Sequence, residues 1–292
     1  MPDTNPVIVA TDGSDHSLRV LPHAASLAAH LGAGIELVHV IEQADIYQEP
    51  GESETAAIER ARSRLERELT DDLQRFGLDG AVRVIVAPDK ENPDRTLLGI
   101  ASRGLMLAMH SRGRGGIARL LHGSVALGVL RDIDRPVLLG GPDLLPPAAS
   151  DSYRVLATTD LSPDSEQALR VLAPILAPTG IKVTLLYVHF RAPAGVDNEA
   201  ERARHEAELA GKRLLLAAST EVDTMVREIP IGAGVDTAIM EVAGNVGAQA
   251  IAMSTHGHSA RHHVLMGSVA LSIVGRSRLP VIVVRAKDPG AG

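Results

Sequence analysis

Two stretches of this 292-residue chain set glycine, serine and basic residues where they can grip a polyanion. They are SRGRGGIARLLHGS, residues 111–124, and THGHSARHHVLMGS, residues 255–268. Each holds a glycine (Gly113 or Gly257), nine residues, and then Gly-Ser, as Gly123-Ser124 or Gly267-Ser268. A glycine-rich segment that feeds a helix offers converging backbone N–H groups and the positive end of a helix dipole, the chemistry of a phosphate cradle. Glycine lets phosphate approach the backbone closely, and a serine hydroxyl adds one hydrogen bond while capping the helix. Arg112, Arg114 and Arg119 can pair with phosphate oxygens. His256, directly before Gly257 as Arg112 is before Gly113, belongs to the same polar loop surface. The bland reading is that the glycines make tight turns and the serines only cap helices.

The segment after each cradle is also repeated. GSVALGVLRDIDRPVLL (Gly123–Leu139) and GSVALSIVGRSRLPVIV (Gly267–Val283) share Gly-Ser-Val-Ala-Leu at the front and Pro-Val near the end. The copies align from end to end. Val7–Thr11 before Asp12 matches Val155–Thr159 before Asp160, and LMLAMHSRG matches AIAMSTHG. A repeat of this length is a whole domain rather than a solenoid unit. The division expected is a domain over 1–142, a Pro-rich linker over 143–152 and a second domain over 153–292.

Short apolar runs alternate with helix-period segments in each copy. The pattern predicts strands near 6–11, 35–41, 81–86, 105–110 and 136–140, then near 153–159, 181–189, 225–230, 249–254 and 280–285. Helices are expected over His16–Leu31, Ser53–Phe76, Asp94–Ser102 and Ser124–Arg131. Ser53 precedes an amphipathic segment, and Ser162-Pro163-Asp164 sets a cap, a proline and an acid at a helix start. Continuous apolar runs fit strands buried on both faces of a parallel sheet, and the alternation fits right-handed βαβ units. The fold class is therefore α/β: two tandem open parallel five-stranded sheets with flanking helices, Rossmann-like. Ligands of such sheets bind outside the carboxyl ends of the strands. Asp12 and Asp160 end the first strands and Met109 and Met253 the fourth, which makes all four candidate site residues.

Composition narrows the function. A net charge of −7 with no basic domain argues against a nucleic-acid partner. With no cysteine, thiolate catalysis and thiolate metal sites are excluded. The start MPDTNPVIVATD lacks a basic region and a long apolar run, and no stretch reaches membrane-spanning length, so a cytoplasmic protein without membrane contact is expected. His256, His258, His262 and His263 crowd one loop, but no carboxylate or cysteine nearby completes a zinc set.

On these residues the chain resembles a tandem universal stress protein, two such domains in one polypeptide, over about residues 6–285. The family's nucleotide pattern is Gly, two residues, Gly, nine residues, then Gly-Ser or Gly-Thr. Gly113, Gly123 and Ser124 match its later members in copy one, and Gly257, Gly267 and Ser268 match them in copy two. The first glycine is replaced by His110 and Ser254. The resemblance implies an adenine nucleotide alpha hydrolase-like fold. It also implies that Asp12 and Asp160 contact the nucleoside and that Val40 and Val188, after the second strand, offer backbone to adenine. The ligand it implies is ATP or AMP, with magnesium as a candidate companion, in a stress-response sensor or regulator. No nucleophile–base pair stands out, so slow ATP hydrolysis at most is expected. The apolar strands Val137–Leu139 and Val281–Val284 end their copies and suggest edge pairing, and the family resemblance adds a homodimer. Two alternatives stay open. One is a nucleotide-free dimerisation scaffold. The other is an adenylating enzyme, since TDGSDHS (Thr11–Ser17) faintly resembles the phosphate loop of ATP pyrophosphatases.

Overall fold

The computed structural model describes residues 5–88, 91–111, 124–178, 180–191, 198–216, 221–255 and 266–285. The chain divides into two compact units, Met1–Pro142 and Asp143–Gly292.

In the first unit the strands are β1 (Val7–Thr11), β2 (Ile35–Glu42), β3 (Ala81–Ala87), β4 (Met106–His110) and β5 (Val137–Gly140). They lie in the order β3-β2-β1-β4-β5, all neighbours parallel. The chain winds outward from β1 through β2 to β3, then crosses back to β4 and β5. The reversal between β1 and β4 is the switch point at which open α/β sheets bind ligands. Val7, Ile8 and Val9 are fully buried, and so are Leu107 and Ala108 beside them, so the continuous apolar runs do mark strands covered on both faces.

The helices are α1 (Asp15–Leu18), α2 (Leu21–Leu31), α3 (Glu54–Arg75), α4 (Pro93–Ala101) and α5 (Ser124–Asp132). The single helix expected over 16–31 is two helices, because Pro22 opens a new one and has no N–H to continue the old. α2 ends at Gly32, whose φ of 64° is left-handed and whose N–H reaches back to the Ala28 and Ala29 carbonyls. The Ser53 hydroxyl accepts from Ala56 N and caps α3. From there Ala57, Ala61, Leu65, Leu69 and Leu73 form one buried stripe at four-residue spacing.

The second unit repeats the plan with β6 (Tyr153–Thr159), β7 (Ile181–Phe190), β8 (Val222–Ile229), β9 (Ala250–Ser254) and β10 (Val281–Val284). Its order is β8-β7-β6-β9-β10, again parallel throughout. The helices are α6 (Pro163–Leu176), α7 (Asn198–Arg213), α8 (Val235–Asn245) and α9 (Ser268–Arg276). β8 begins at Val222, not near 225, because it pairs only with β7 in this unit and its exposed Asp223 and Thr224 interrupt the apolar run. Within each unit the last strand, β5 or β10, is outermost on its side. No helix of the described residues is long and apolar enough to cross a membrane.

Candidate functional site

Each unit places an aspartate directly after its central strand, inside a repeated net of hydroxyls. In the second unit, Asp160 Oδ1 accepts from Ser162 N at 3.1 Å and from Ser162 Oγ at 2.5 Å. Ser162 Oγ also accepts from Ser165 N, which caps α6. Thr159 Oγ1 and Ser165 Oγ share a bond of 2.9 Å. The first unit repeats this bond for bond. Asp12 Oδ1 accepts from Ser14 N at 3.0 Å and Ser14 Oγ at 2.6 Å, and the Thr11 and Ser17 hydroxyls meet at 2.7 Å. The turn after each aspartate is left-handed, at Gly13 (φ 76°) in one unit and Leu161 (φ 66°) in the other. The motif Thr-Asp-x-Ser-x-x-Ser therefore aims a carboxylate out of the switch point and starts a helix in one step.

The valines are placed differently from expectation. Val40 and Val188 lie inside β2 and β7, not after them. The pairing of β1 with β2 ends at Thr11↔His39, and that of β6 with β7 ends at Thr159↔Tyr187. Val40 and Val188 are thus the first residues past the end of the central strand, still paired outward to Ile85 and Arg227. Met109 and Met253 are the penultimate residues of β4 and β9; His110 and Ser254 end those strands.

In the second unit these positions converge on a cavity of about 150 Å3. Asp160, Val188, Met253, Gly267 and Ser268 all line it. Ile239 of α8 and Leu186 of β7 supply apolar wall, while Thr158, Thr159, Ser165, Ser254 and Thr255 supply hydroxyls. The sequence reading missed those hydroxyls. The repeated Thr-Asp-x-Ser-x-x-Ser was the available signal for Thr159 and Ser165.

The start of α9 forms one side of the cavity. Gly267, not Ser268, is the N-cap, and Ser268 is the first helical residue, a correction to the capping role expected of the serine. Gly267 N donates to Thr255 O at 2.7 Å and pins the helix start to the end of β9. No side chain caps α9, so the first-turn residues Ser268, Val269 and Ala270 bring N–H groups without a side-chain partner to the cavity wall. The bland reading of Gly267 as a turn glycine does not fit its geometry. Its φ is −63°, open to any residue, and among the described residues a Cβ there would meet only Thr255 O, at an ordinary 3.5 Å. Behind the wall, Asp236 of α8 accepts from Ser272 Oγ at 2.5 Å and Arg276 at 2.6 Å, which fixes α9 against α8. Those donors, the Ser272 hydroxyl first, hold the Asp236 carboxyl below the usual carboxylate range.

In the first unit, Asp12, Val40 and Met109 occupy the corresponding strand positions, and Ser124 opens α5. Arg112, Gly113, Gly123, His256 and Gly257 lie outside the described residues, as does the histidine crowd at 256–263. Among the described residues, no group of three or more His, Asp or Glu side chains is placed to hold a metal ion. The described cavity wall carries amides, hydroxyls and one carboxylate but no imidazole or amine. It can bind a polar ligand and offers no proton-transfer pair.

A family model described as the universal stress protein family matches residues 4–139 and 153–285. The chain belongs to the universal stress protein family. A universal stress protein of Mycolicibacterium smegmatis is 26% identical over 295 residues, covering 96% of this chain and 97% of that protein. One from Mycobacterium tuberculosis is also 26% identical over 295 residues, with 96% of both chains covered. The crystal structure of a universal stress protein from Archaeoglobus fulgidus shares the fold with a TM-score of 0.65 and 23% identity, over 98% of this chain and 100% of that one. Two copies of the family domain in one chain account for the doubled ladder and doubled Asp–Ser net.

Proposed function

We propose that the chain binds an adenine nucleotide, ATP or AMP, at the carboxyl ends of the strands of its second unit, and acts as a nucleotide-responsive regulator in the stress response. One observation carries the reading. Gly267 and Ser268, which match the family's nucleotide motif, and Asp160 and Val188, the positions the resemblance assigns to the nucleoside, line one cavity beside an uncapped helix start, and its N-cap glycine is demanded neither by φ nor by contacts with the described residues. An anion against the first turn of α9 would take up the N–H groups that no side chain reaches. Val188, past the end of β6, is where a heterocycle edge could meet backbone. The described walls enclose about 150 Å3, less than the roughly 300–1,000 Å3 of a drug-sized site, so they accommodate part of a nucleotide. Asp12, Val40 and Ser124 make the first unit a second candidate for the same ligand.

The test is to denature the purified protein, identify released small molecules by mass spectrometry, and titrate ATP and AMP by calorimetry. Gly267→Val should weaken binding at least tenfold while the fold persists, and Gly123→Val reports on the first unit in the same way. Undiminished binding in both variants and in their combination would overturn the placement. Absence of any bound adenylate at millimolar ATP would favour the scaffold alternative. Recovery of AMP plus pyrophosphate, instead of unchanged nucleotide, would favour the adenylating enzyme.

A further inference from the structure

On the other side of β7 from the cavity, Tyr187 and His189 alternate with Leu186 and Val188 and face α7. There the His189 ring lies 4.7 Å from the His205 ring, and Tyr187 packs edge-on against His205 at 5.0 Å. Both imidazoles are buried, at 7% and 8% exposure. Their protons can be assigned from their partners. His189 Nδ1 sits 3.1 Å from the Phe190 carbonyl, an acceptor only, so Nδ1 carries the hydrogen and Nε2 is a bare lone pair. Arg204 can only donate, so His205 Nε2, 3.4 Å from its guanidinium, is the lone pair and Nδ1 carries the hydrogen. The two remaining ring nitrogens, His189 Nε2 and His205 Nδ1, are buried without partners among the described residues. One is an acceptor and the other a donor, and neither neutral ring brings a charge into the buried site. A proton on His205 Nε2 sets N–H against the Arg204 donor and puts a charge in a buried site.

α7 packs on β8 and, through this pair, on β7. His205 and Leu209 are the buried residues of that 16-residue helix, against five buried in α3 of the first unit. We propose that the His189–His205 pair is a pH-sensitive latch, seating α7 on the sheet at neutral pH and loosening it in mild acid as His205 takes a proton.

The charges around the pair do not cancel this. On α7, Glu201 and Glu208 favour the charged form of His205, whereas burial first, then His189 and Arg204, disfavour it, and the result is a pKa below the ordinary 6.5. On β8, Glu228 faces His189 but is held at 2.6 Å by Arg191 and is also attracted by Arg202 of α7. Asp160 helps raise the Tyr187 pKa and does not figure among the charges acting on His205. On α6, Glu166 holds Lys212 at the far end of α7 and Arg170 on its own helix, so that end stays tied and the loosening falls on the His205 half. The sign is set by linkage. An unfolded histidine protonates near 6.5 and folded His205 only lower, so the stabilisation is full above about 6.5 and is lost as pH falls from there toward the folded value.

The latch does not depend on nucleotide, and neither does its test. Long-range 1H–15N spectra of the labelled wild-type protein should show both rings as Nδ1–H tautomers at pH 8, with His205 titrating below 6.5. Hydrogen exchange across α7, corrected for intrinsic rates, should be faster at pH 5.5 than at 7.5, by up to about tenfold, the limit for one histidine of unfolded pKa near 6.5, with α3 unchanged. His205→Phe, or His205→Gln should the first not fold, should abolish that difference. Equal α7 protection at both pH values, a His205 midpoint at or above 6.5, or a pH response that survives in the variant would overturn the proposal.

Discussion

In the first unit, Asp94 of α4 lies against the bare backbone of Gly128 on α5. In the second, Asp236 of α8 takes the Ser272 hydroxyl and the Arg276 guanidinium of α9. The same corner of the same fold is closed by close packing in one copy and by hydrogen bonds in the other. Duplication kept the strand ladder and the Thr-Asp-x-Ser-x-x-Ser net but left the helix contacts free to diverge. Residues are therefore not exchangeable between the copies even where the backbones correspond.

The largest effect should come from forcing the second copy's solution on the first. A Cβ on Gly128 would lie 1.9 Å from Asp94 Oδ2 and 2.9 Å from Asp94 Cβ, so rotating the carboxylate away does not make room. Gly128→Ser should cost about 2–3 kcal/mol in urea denaturation. The converse Ser272→Gly removes one hydrogen bond and leaves Arg276 on Asp236, at about 1–2 kcal/mol including the helix penalty of glycine. Equal costs would break the contrast. Next come the caps. Ser162→Ala strips the cap from the 14-residue α6 and should cost about 1–2 kcal/mol, whereas Ser14→Ala uncaps only the four-residue α1 and should cost about half that in the same denaturation assay.

The last contrast concerns the left-handed turn. Leu161 adopts φ 66° where the first copy has Gly13 at 76°. Gly13→Leu should cost about 1 kcal/mol, and Leu161→Gly should raise the melting midpoint by an amount worth about 0.5 kcal/mol, the relief of strain partly offset by a more flexible unfolded chain. A loss of stability in Leu161→Gly would show that the leucine side chain contributes more than its backbone costs.

Much of this was legible in the sequence because it is written in local pattern. Buried runs such as Val7–Val9 and Val281–Val284 mark parallel strands wherever they occur, and the repeat gave both units the same run of five strands. What escaped was set by neighbours distant in sequence. The break between α1 and α2 hides because Leu18, Leu21 and Leu27 are all buried and keep the helical period running across it; Pro22 was the sole marker. The start of β8 hides because a strand paired on one side tolerates exposed Asp223 and Thr224. Within the site, motif spacing located Gly267 and Ser268 but exchanged their roles, since only the backbone shows which of them is the cap. Nothing in the charged stretch Arg202–Leu209 announces that His205 will be buried under Tyr187 and His189.

The thin seating of α7 also bears on turnover. An element anchored by His205 and Leu209 detaches at far lower cost than global unfolding, and Arg202 and Arg204 then stand on an extended strand that a trypsin-like protease can thread. Degradation of this chain should begin with a nick there, in the second copy, while the five-residue stripe beneath α3 keeps the first copy whole.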